Sequence, residues 1–137
     1  MNKILLVSLL SMLTITGYSQ RDWDSIIIVH TNDTANLYKR VKHAFINMDF
    51  IVKDLDSDTL KTYPREFETN AYLIGTAIIK GQDVTLKGIW GSRKADYFGS
   101  SVAPRNYKNI YYYKGSVEWK ILFLVAQAIG GELRFEK

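Results

Sequence analysis

The residue types best suited to chemistry gather between Ser92 and Lys114. Arg93, Lys94, Arg105, Lys108 and Lys114 stand there against a single acid, Asp96, for a local balance of +4. Tyr97, Phe98, Tyr107, Tyr111, Tyr112 and Tyr113 are interleaved with these cations. Ammonium and guanidinium groups beside aromatic rings suit an anionic ligand, with charge meeting phosphate or carboxylate and rings stacking on a base or sugar. Tyrosine and arginine also anchor protein interfaces. The candidate ligand-binding residues are therefore Arg93, Lys94, Arg105, Lys108, Tyr111 and Tyr113. The simpler alternative is a surface loop whose aromatics fold back onto the sheet.

Other groupings offer less. The chain has no cysteine and two histidines, too few for a thiolate site or a histidine-rich zinc site. Asp54, Asp56 and Asp58 alternate as in a calcium loop, but the glycine and closing glutamate of an EF-hand are absent, so a solvated turn is expected. Glu66 and Glu68 have the types for acid and base, with nothing in the sequence to fix them in a pocket. His30-Thr31-Asn32-Asp33, directly after an apolar strand, resembles the metal-binding opening of the secreted 5′-nucleotidase family. That family places a second histidine two residues later, where this chain has Ala35, and His43 lies two helical turns on. The resemblance implies a metal-assisted hydrolase using His30 and Asp33. The simpler reading makes Asn32 and Asp33 helix caps and His30 a strand-end residue.

The first residues read as an address. Lys3 supplies the positive region, Ile4 to Ile15 an apolar run, and Gly17-Tyr18-Ser19 the small residues of a processing site. The run is shorter than the about 20 residues needed to cross a hydrocarbon core. The expectation is a signal peptide over residues 1–19, with Gln20 the new N-terminus and the product periplasmic or extracellular, without a stable membrane span. A bacterial lipoprotein would need cysteine as its first mature residue. An uncleaved leader holding the protein to the membrane is the alternative. Loss of Lys3 takes the formal charge from +4 to +3; outside the Ser92–Lys114 segment the remainder sums to −1.

The elements that position these residues follow from periodicity. Ile26 to Val29 is a β-branched run typical of a buried strand. Tyr38, Val41, Phe45 and Met48 repeat at helical spacing, predicting a helix over about 34–47. Phe50 to Val52 restarts an extended pattern, and Leu60, Thr62 and Pro64 share one side of a short strand that Pro64 ends or confines to an edge. Ala71–Lys80 and Val84–Trp90 form a hairpin across Gly81-Gln82-Asp83, the second strand blurred by a glycine bulge. A further short strand is expected near Tyr111–Tyr113. A helix over 116–129 buries Trp119, Leu122, Phe123, Ala126 and Ile129 and stops at Gly130-Gly131. The expected order is β-α-β-β-β-β-α, a single α+β domain over residues 20–137 with two helices on one face of an antiparallel sheet. Residues 92–114 form a long basic, tyrosine-rich loop, and Leu133 and Phe135 lie in a short tail.

The helix end Ala44-Phe45-Ile46-Asn47-Met48, then Phe50 to Lys53, Thr59 to Pro64, the helix around Trp119 and Gln20 after Ser19 carry a second resemblance. Together they are similar to small exported bacterial domains of unknown function with a TATA-binding-protein-like fold. That resemblance implies a non-enzymatic role and transfers no site residue. The expected function is an exported binding or interaction module of the cell envelope. Its partner would be an envelope protein or anionic ligand rather than nucleic acid, met by the concave face of the sheet or by the Arg93–Lys114 loop, with no cofactor. A structural subunit docking through the sheet edge near Pro64 is the remaining alternative.

Overall fold

A computed structural model describes residues 19–93 and 106–137. Its elements are β1 (Ile26–His30), α1 (Leu37–Asn47), β2 (Val52–Asp54), β3 (Thr59–Thr62), β4 (Arg65–Glu68), β5 (Ala71–Lys80), β6 (Asp83–Ser92), β7 (Lys108–Asn109), α2 (Val117–Ile129) and β8 (Glu132–Glu136). All strand pairs are antiparallel, in the order β2-β3-β5-β6-β1-β8, with β4 added to β5 and β7 to β6. The chain is thus α+β, and the helices cover one face of the sheet.

Strand alternation sets that face. Leu60, Ala77, Leu86, Ile27 and Phe135 are register partners in turn across five strands. The first four are fully or almost fully buried. Phe45 and Val41 of α1 and Trp119, Leu122 and Val125 of α2 close over them in one apolar cluster. Each fully buried side chain of this size contributes about 1.5–3 kcal/mol. Two contacts tie α1 in place: Arg40 donates from Nη2 to the Ile129 carbonyl at 2.8 Å, and the Tyr38 hydroxyl donates to the Asp54 carboxylate on β2.

Several expectations need correction. The first helix starts at Leu37, because Asn36 adopts a left-handed conformation and Asp33 accepts from the Ala35 N–H, closing a turn ahead of the helix. β6 has no bulge: ten consecutive residues pair with β5, and Gly88 is matched to Gly75. What blurred its pattern is Ile110, fully buried and packed where a Gly88 side chain would stand. The short tail is the edge strand β8, which lays Leu133 and Phe135 onto the core beside β1. Glu66 and Glu68 belong to β4, and Pro64 sits at the break between β3 and β4, both of which pair with β5. The late short strand is Lys108–Asn109, ahead of the tyrosine run. α2 starts at Val117, one residue after its expected start, and Ser116 caps it, its hydroxyl accepting from the Trp119 N–H at 3.2 Å. The leader through residue 18 lies outside the described residues. Among the described residues, no helix is long and apolar enough to cross a membrane.

Candidate functional site

The described members of the basic, tyrosine-rich segment divide among three places; Lys94 and Arg105 lie outside the described residues. Arg93 follows β6, and its guanidinium carbon stands 4.7 Å over the Tyr72 ring, a cation–π contact. Its Nε is buried without a partner among the described residues. Tyr107 belongs to the same corner: burial, then the neighbouring Tyr72, push its hydroxyl pKa up, and Arg93 pulls it back. Lys108, exposed on β7, is opposite Trp90.

Tyr111 turns elsewhere and meets Trp23 edge-on, with ring centroids 5.7 Å apart. Tyr113 is part of a third environment, an open cavity of about 370 Å³ lined in part by Gln20, Tyr112, Tyr113, Trp119, Lys120 and Phe123. The stretch Tyr111 to Ser116 reaches this place because its backbone is pinned. Tyr112 donates to the Asp24 carbonyl at 2.8 Å and accepts from the Trp23 N–H at 3.0 Å, while Ser116 donates to the Tyr113 carbonyl. Aromatic contacts link the residues of the wall. Tyr112 and Trp119 centroids lie 5.9 Å apart, Trp119 and Phe135 6.1 Å, and Phe123 stacks on Phe135 at 6.2 Å.

Polar groups in the cavity are few and fixed. Trp119 Nε1 donates to Gln20 Oε1 at 3.1 Å. The Tyr113 hydroxyl donates to Glu118 Oε1 at 3.0 Å, and that bond to a carboxylate raises the tyrosine pKa, with burial adding to it. Lys120 is exposed at the rim and makes no ion pair among the described residues. Aromatic walls with one cation at the rim accept a flat or ring-shaped body bearing an anionic group.

The sequence marked Tyr113 and named Trp119 and Phe123 as core. Both do face the core, but each also presents an edge to the cavity, which helical periodicity does not register. Lys120 follows the inward-facing Trp119, and its position on α2 is its only sequence signal.

His30 and Asp33 are not brought together. His30 Nδ1 lies 2.6 Å from Asp83 Oδ1 on β6, its register partner, whereas Asp33 closes its own turn and stands 3.9 Å from Arg40. Among the described residues no three His, Cys, Asp or Glu side chains group as metal ligands. No protein-family model, curated protein or solved structure matches this chain.

Proposed function

We propose that this protein is an exported, non-enzymatic binding module of the bacterial envelope that holds a small ring-bearing anionic ligand in the aromatic cavity beside α2. The supporting observation is the cavity itself, of about 370 Å³ with Tyr112, Tyr113, Trp119 and Phe123 on its walls and Lys120 at its rim. Its size falls at the lower end of the range for small-molecule sites, roughly 300–1,000 Å³. The leader-like N-terminus supports the location. Arg93 and Lys108, away from the cavity, have no direct part in holding this ligand.

Tryptophan fluorescence tests the proposal, because Trp119 forms part of the wall. Titration with sugar phosphates, acidic sugars and aryl phosphates is expected to give a saturable change with at least one class. Lys120→Glu and Phe123→Ala should each weaken it at least tenfold, and Arg93→Ala with Lys108→Ala should leave it unchanged. No saturable change at millimolar concentrations of any class defeats the proposal. A change lost only in the Arg93/Lys108 variant would move the site to the other end of the segment.

A further inference from the structure

The face of the sheet opposite the helices carries a row of lysines running across the strands. Lys53 of β2 is the register partner of Lys61 of β3; Lys61 pairs with Thr76 of β5, and Thr76 with Lys87 of β6. Like charges directly opposite one another destabilise a sheet. Among the described residues none of the three makes an ion pair, and three acids of the sheet are engaged by other residues. Asp54 faces α1 and is held by Tyr38 and Lys42, Asp83 by His30, and Glu136 by Arg134.

The flanks of this row are apolar or hydroxylic. Strand alternation puts Ile51 and Leu55 on either side of Lys53, and Tyr63 and Thr59 on either side of Lys61. Backbone bonds from Tyr63 to the Ile51 carbonyl and from Leu55 to the Thr59 carbonyl extend the ladder to both pairs. On β5 and β6 the flanking register pairs are Ile74 with Ile89 and Ile78 with Thr85. None of these positions is a carboxylate. Ile74 is nearly buried, at 9% exposure, whereas Ile51 stands at 70%, Leu55 at 50% and Tyr63 at 50%.

We propose that this face docks on the surface of an anionic lipid bilayer, with Ile51, Leu55 and Tyr63 entering the headgroup boundary and Lys53, Lys61 and Lys87 meeting lipid phosphates. Lys53 and Lys87 are three strand spacings apart, roughly 14 Å, too far for one phosphate but within reach of several headgroups. Protruding apolar side chains beside unpaired cations supply the two contributions that reversible membrane attachment needs. The inference is independent of the aromatic cavity.

A reporter at the face tests it. The chain has no cysteine, so Ile51→Cys gives one labelling position for an environment-sensitive dye, and Leu124→Cys on α2 a control. Vesicles of phosphatidylcholine containing one quarter phosphatidylglycerol are expected to shift the dye to the blue at 51 and not at 124, with little shift on pure phosphatidylcholine. Each Lys→Gln change at 53, 61 or 87 should weaken this about fivefold, and the triple change about a hundredfold. The leader is common to all variants, so binding through it cannot produce these differences. A shift equal on neutral vesicles, a triple variant that binds like the parent, or no shift at 51 overturns the proposal. So does a soluble acidic polysaccharide that binds this face when vesicles do not, or a dimer that Ile51→Ser converts to monomer.

Discussion

The ring of Phe45 occupies the space a side chain at Gly75 would need: a Cβ there would lie 2.6 Å from Phe45 Cε1. Phe45 is fully buried and Gly75 is in the middle of β5, so this contact sets how closely α1 approaches the sheet. Gly75→Ala is therefore expected to destabilise by about 1–3 kcal/mol through overpacking, although alanine is no worse than glycine for a strand. Phe45→Ala, which empties the same space, should cost about 3–5 kcal/mol. Denaturant unfolding measures both. A Gly75→Ala protein as stable as the parent would mean that the ring can give way.

The Tyr38–Asp54 contact predicts a pH signature. Its hydrogen bond to Asp54, reinforced by burial and the Asp54 and Asp56 charges, pushes the Tyr38 pKa up to about 12. An unfolded tyrosine loses its proton near pH 10. This contact's stabilisation is thus complete below that pH and is lost as pH rises towards 12. Asp54 is held below its ordinary value first by Tyr38 and then by Lys42, so its stabilisation is present above the unfolded carboxyl pKa and is lost as pH falls through the depressed one. Tyr38→Phe should flatten the alkaline decline in melting temperature, and Asp54→Asn should flatten both declines. An alkaline slope unchanged by Tyr38→Phe would refute the assignment.

Gly131 joins α2 to β8 with φ of +140°, and a side chain on it would run into the His30 carbonyl. Backbone, unlike the Phe45 ring, has no rotamer to change. Gly131→Ala should therefore cost at least the about 1 kcal/mol of an incompatible backbone conformation and loosen the pairing of β8 with β1. Gly115→Ala, also at positive φ but with open space around it, should cost less. Hydrogen exchange of the β1 and β8 amides, compared between the two variants, reads the difference.

The residues that formed elements on their own pattern were legible in the sequence. Of the predicted stripe Tyr38, Val41, Phe45 and Met48, Val41 and Phe45 are fully buried on α1 and the other two partly so; α2 begins beside Ser116, and the hairpin of β5 and β6 turns within Gly81-Gln82-Asp83. β8 was not, because Glu132, Arg134 and Glu136 give its five residues the look of a solvated tail until β1 is alongside to take Leu133 and Phe135. The site was legible only in part. Tyr113 stood out by composition, but Lys53, Lys61 and Lys87 come from three strands, and nothing in their sequence separation shows that register aligns them. The concentration of charge in one segment drew attention to Arg93 and Lys108, which the fold sends to a different end from Tyr113.

Tyr113 is the residue at which stability and binding can be separated. Its hydroxyl holds Glu118, whose side chain is only 5% exposed in the first turn of α2, while its ring walls the cavity. Tyr113→Phe keeps the ring and strips one donor from a buried carboxylate, an expected loss of about 1–3 kcal/mol. Adding Glu118→Gln to that variant removes the unpaired charge, so the two changes together should cost less than the sum of each alone by about 0.5 kcal/mol or more. Ligand affinity should follow the ring and not the hydroxyl: close to the parent in Tyr113→Phe and lost in Tyr113→Ala. If affinity falls equally in both, the hydroxyl or the Glu118 carboxylate contacts the ligand, and the cavity recognises a donor instead of a flat face.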